Sequence, residues 1–115
     1  MKELQARPAT HTFRVERNYE DLYRHLVGMS RECNDGMALG AHFATRGELF
    51  HRTREAEIRL EYVTTVGVQI HDALTLRAVD TDATVVNYYQ PFGRKDTERH
   101  KAFRRWAMDG ASTCS

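Results

Sequence analysis

With two cysteines, two prolines and one tryptophan in 115 residues, this chain lacks the means to build several kinds of protein. Two thiols are too few for the dense disulfide framework of a small secreted scaffold or for a four-cysteine zinc site. No two of the six histidines stand at ligand spacing beside a cysteine, so no metal or other cofactor is expected. Charge of one sign is missing as well. Lys and Arg total 17 against 16 Asp and Glu, a formal charge of +1, which provides no field to draw nucleic acid or an acidic membrane. Long apolar runs are absent: nothing approaches the ~18 residues of a membrane-spanning helix, and Met1 to Thr10 has no apolar signal core. The polar lead Lys2 to Pro8 reads as a tether left after removal of a signal or lipid-anchor segment, so any membrane attachment is expected through that removed anchor.

What remains is ordinary globular material, 41% hydrophobic and 29% charged, in a length that suits one core. Residues 1–9 are expected to be a flexible lead and 10–115 a single domain. Thr10 to Arg17 alternates with Phe13 and Val15 on one side, the period of a half-buried strand. Asn18 can cap a helix that carries Leu22, Tyr23, Leu26, Met29, Ser30 and Cys33 at helical spacing and stops at Asn34-Asp35-Gly36. A weaker strand spans Ala41 to Phe50, where Gly47 marks either a bulge or a close backbone approach. Ala56, Ile58, Leu60 and Tyr62 alternate with charged residues in the clearest strand of the chain. After Gly67, the residues Val68, Ile70, Leu74, Leu76 and Ala78 form the apolar side of a fourth strand, broken by Asp72; a fifth spans Thr84 to Gln90. A last helix begins at Asp96 or Thr97, carries Ala102, Phe103, Trp106 and Ala107 inward, and ends at Gly110. The expected fold is α+β, in the order β-α-β-β-β-β-α, with both helices packed on one face of an antiparallel sheet.

With both helices on one face, the end of the first and the tail beyond the second can meet, so Cys33 and Cys114 are candidates for a disulfide closing almost the whole fold. The alternatives are a buried thiol at Cys33 with a free thiol at Cys114, or a zinc site shared with a histidine. The run Asn18-Tyr19-Glu20-Asp21-Leu22-Tyr23-Arg24 leading to Cys33, the alternating meander, and Trp106-Ala107-Met108-Asp109-Gly110 before Cys114 resemble the mature domain of small two-cysteine envelope lipoproteins of proteobacteria. The chain departs from that pattern at its front, where no lipobox is present. The resemblance implies an oxidising compartment, the periplasm or cell envelope, and brings no catalytic residues with it.

Candidate chemistry is sparse. His71-Asp72 is the most enzyme-like pair, since a carboxylate can orient an imidazole for proton transfer. Adjacent strand residues point to opposite faces, however, so only a bulge would let the two meet, and a solvated histidine beside a locally bonded aspartate is the expectation. His42 and His51 read as edge and loop residues. Tyr88, Tyr89, Phe92 and Trp106 are candidates for lining an apolar pocket between the sheet and the second helix, as in helix-grip domains, or for simple core packing. Arg94, Lys95, Arg99, Lys101, Arg104 and Arg105 make a basic tract, either a solvated face or a contact for an acidic partner or lipid headgroups. The expected function is therefore a non-enzymatic envelope domain that binds a protein partner or a small apolar ligand. The alternatives are a small enzyme with a histidine-containing pocket and a cytoplasmic interaction module with two free thiols.

Overall fold

In the computed structural model of this chain, which describes residues 9–38, 40–90 and 97–114, alternation and helical stripe resolve into an α+β domain. The elements are β1 (His11–Val15), α1 (Tyr19–Cys33), β2 (Gly36–Ala38), β3 (Ala41–Phe50), β4 (Glu55–Thr64), β5 (Gly67–Asp80), β6 (Ala83–Tyr89) and α2 (Glu98–Asp109). The expected order holds, with one addition: β2 is a three-residue edge strand that the turn residues after α1 had hidden. All pairings are antiparallel, in the spatial order β1-β6-β5-β4-β3-β2, so the first strand closes against the last.

Both helices start where side-chain chemistry lets them. Asn18 caps α1, its Oδ1 accepting from the Glu20 N–H at 2.9 Å and the Asp21 N–H at 3.3 Å, with both acids in the first turn where the helix dipole favours them. Thr97 caps α2 by accepting from the His100 N–H at 3.0 Å, which decides between the two expected cap positions. Gly110 ends α2 at φ 65°, a left-handed conformation that glycine adopts without a Cβ penalty.

The core is one layer between the helices and one sheet face. Leu22 and Leu26 of α1 and Phe103 and Trp106 of α2 bury against Val15, Ile58, Leu74, Leu76, Val86 and Tyr88. Cross-strand register brings these positions into line: Ile58 sits opposite Leu74, which sits opposite Tyr88, and Ala56 opposite Leu76, which sits opposite Val86. The other face carries the charges, with Arg46 Nε 3.3 Å from Glu61 Oε1 and Arg59 Nη2 3.7 Å from Glu48 Oε1.

Cys33 and Cys114 form a disulfide across 81 residues of chain, with a Cα–Cα distance of 5.4 Å. In the chain-entropy view a loop of that size is worth about 4.5 kcal/mol to the folded state. The bridge also holds the tail after α2 along α1. The Ala111 carbonyl lies 2.8 Å from His25 Nε2, and the Thr113 carbonyl accepts from the buried Trp106 indole N–H at 2.8 Å. Disulfides form and persist mainly in oxidising compartments and are rare in the reducing cytoplasm.

Of the two readings for Gly47, the structure selects close approach. Gly47 pairs with Ile58 without any register shift, and a Cβ placed there would lie 2.5 Å from the Tyr23 hydroxyl and 3.0 Å from its ring. Gly47→Ala should therefore destabilise the domain by about 1–3 kcal/mol in urea unfolding, as overpacking does. Adding Tyr23→Phe, which removes the nearest atom, should recover part of that loss; equal losses in the single and double variants would show that the contact does not limit this position.

Candidate functional site

The most consequential departure from regular pairing lies in β5. Leu60 pairs with Asp72 and Glu61 with Ile70, leaving His71 as one extra residue opposite β4. Such a bulge resets the alternation on one side of itself. Leu74 and Leu76 lie on the helix-covered face together with Asp72, whereas Ile70 and Val68, which share their odd-even parity, pair with Glu61 and Val63 on the opposite face. The single apolar side expected from Val68 to Ala78 is thus two half-sides, and Val68 is 61% exposed.

The bulge is also what lets His71 and Asp72 meet. Asp72, its side chain 1% exposed, receives the Tyr88 hydroxyl on Oδ2 and faces His71 Nδ1 across 2.8 Å on Oδ1. A carboxylate only accepts and a guanidinium only donates, so Nδ1 donates to Asp72 when it carries the proton and accepts from Arg99 Nη1, 3.0 Å away, when it does not. Histidine so oriented can move a proton. Arg99, from the first turn of α2, brings Nη1 to 3.5 Å from the same Asp72 oxygen and 3.0 Å from His71 Nδ1. Its guanidinium lies over the Phe43 ring, 5.3 Å from the centroid, and Phe43 in turn contacts His71 at 5.5 Å and Tyr62 at 5.1 Å. Behind them His11 stacks on His100 at 3.6 Å, and His100 packs edge-on against Tyr88.

This cluster sits at one end of the sheet because α1 stops short of it. The last turn of α1 reaches β3 at Thr45, where Ser30 Oγ lies 2.7 Å from Thr45 Oγ1 and Asp35 Oδ1 accepts from the Thr45 N–H at 2.9 Å. Beyond that level Phe43 and Tyr62 are half-buried, and Tyr62 borders a shallow depression of about 320 Å³ with Thr64, Val66, Gly67, Val68 and Gln69.

The expected site residues fall in several places. Tyr88 and Trp106 are fully packed core, while Tyr89, one residue on, lies on the opposite face beside Asn87, Thr75 and Arg77. Consecutive strand residues send their side chains to opposite faces, so Tyr88 and Tyr89 do not face the same space. The basic tract divides as well: Arg99 turns to the sheet end, Arg104 lies over Phe13 at 5.3 Å, and Arg105 donates to the Thr113 carbonyl at 3.3 Å. Lys101, Arg104 and Arg105 remain side by side on the outer face of α2 with Met108. Phe92, Arg94 and Lys95 lie outside the described residues. His42 is half-buried on the open face opposite Val63, and His51 is 3.4 Å from Glu20. Among the described residues no group of three or more His, Cys, Asp or Glu is placed to hold a metal ion, and no helix is long and apolar enough to cross a membrane.

Sequence reasoning singled out His71 and Asp72 but not Phe43, Tyr62 or the turn of Arg99 toward them. The one signal in the chain was Asp72 itself, a charged residue on an otherwise apolar side. Comparison with protein-family models, curated proteins and solved structures finds no match for this chain.

Tyr88→Phe should lower stability by about 1–3 kcal/mol in urea unfolding, because it removes a donor from a buried carboxylate oxygen. A loss below about 0.5 kcal/mol would mean that Asp72 does not depend on that hydroxyl.

Proposed function

We propose that this chain is a non-enzymatic cell-envelope domain that binds a small apolar ligand at the end of its sheet that α1 does not reach. One observation carries the reading: Tyr62, whose ring centroid lies 5.1 Å from that of Phe43, borders the depression that runs to the hairpin at Val66, which is 95% exposed. Apolar surface left open beside half-buried aromatic rings is the usual mark of a contact site on an otherwise polar exterior. The space under α2 is filled by Phe103 and Trp106, so the ligand belongs at the sheet end and not between sheet and helix.

The envelope part of the reading is supported by the Cys33–Cys114 bridge and by the resemblance to two-cysteine envelope lipoproteins. Protein trapped with an alkylating agent in its native host and then denatured should show no alkylated cysteine; two alkylated cysteines would remove the envelope assignment.

For the ligand, titration of isotope-labelled oxidised protein with 1-decanol should give saturable amide shifts confined to residues 42–45 and 61–71. Shifts spread evenly over the surface, or none, would sink the ligand reading.

A further inference from the structure

We infer that the ligand is a monoanionic amphiphile, a carboxylate on an apolar chain, whose head is taken by Arg99 while the chain lies on Phe43 and Tyr62. This rests on the apolar-ligand reading above and adds the head group to it. Every hydrogen bond that Arg99 makes among the described residues leaves from Nη1, toward Asp72 and His71. Nε and Nη2 are the two nitrogens whose N–H bonds run parallel, the side-on fork that matches a carboxylate with two bonds. The side chain is 27% exposed, and none of its hydrogen bonds within the described residues uses Nε or Nη2.

The plane of the fork is set before any ligand arrives. Phe43 lies under the guanidinium at 5.3 Å, and Asp72 holds the Nη1 corner from its buried position. Little side-chain entropy is left to lose on binding. The path from head to chain is continuous, since Arg99 lies on Phe43, Phe43 touches Tyr62, and Tyr62 borders the depression leading to Val66 in the hairpin. Charge selects the head group. Asp72 already offsets much of the arginine charge, and its oxygens are engaged by Tyr88 and His71. A single negative charge fits what remains, and a dianionic phosphate meets Asp72 repulsion with one partly neutralised cation to oppose it.

The test is calorimetric titration at pH 7.5 of the full oxidised chain with sodium decanoate, 1-decanol and decyl phosphate, for wild type and Arg99→Gln. Decanoate should bind at least ~10-fold more tightly than decanol, and Arg99→Gln should bring the two within ~2-fold of each other. Equal affinity of decanoate and decanol for the wild type would overturn the head-group inference and leave the apolar-ligand reading standing. No binding of either would remove both. A decanoate preference that survives in Arg99→Gln, or tighter binding of decyl phosphate than of decanoate, would also overturn it. If Arg99→Gln does not fold, the Arg99 Nε–H resonance of the wild type decides: decanoate should shift it and decanol should not.

Discussion

A sheet with one apolar face must have that face covered, and here the cover is shorter than the sheet. Helix α1 has 15 residues, about 22 Å at 1.5 Å per residue, whereas the 14 residues of β5 extend about 46 Å. The helices are placed where the buried residues are most apolar, at Ile58, Leu74, Leu76 and Val86. The strands therefore outrun α1 at one end, where Phe43, Tyr62 and His71 of the sheet meet Arg99 from the first turn of α2. The candidate site follows from a length mismatch as much as from the residues in it.

Holding the cover in place falls to the tail. The carbonyls of Ala111 and Thr113 face His25 and Trp106, and the Cys33–Cys114 bridge pins the segment that carries them. The largest buried side chain thus has its only polar atom satisfied by a strand of tail that would fray without a covalent tie. The bridge restrains the unfolded chain and, in the folded one, keeps α1 and α2 side by side.

Asp72 is the costly residue of the fold. A carboxylate 1% exposed on an apolar face is tolerable only with its oxygens bonded and a cation near, and Tyr88, His71 and Arg99 provide this from three elements. The consequence is positional. Because β5, β6 and α2 converge on one carboxylate, Arg99 and His71 are fixed with respect to Phe43, which gives the open end of the sheet a defined chemical arrangement.

Local pattern was enough for every element but β2 and for their order: alternation at Phe13 and Val15 and at Ala56 to Tyr62, helical stripes from Leu22 to Cys33 and from Ala102 to Ala107, and caps at Asn18 and at Asp96 or Thr97 are all carried by near neighbours. The cysteine pairing was legible as one option among three, since a common face for both helices makes the meeting possible without requiring it. The bulge at His71 was not legible, because an inserted residue leaves the even-numbered run from Val68 to Ala78 intact and only pairing with β4 reveals the shift. Nor was the gathering of Phe43, Tyr62 and Arg99, which are up to 56 residues apart in the chain. Sequence alone determined which side of each element is dry except in β5 before its bulge; strand register and the limited reach of α1 decided which polar and aromatic groups stand together at the end that α1 does not reach.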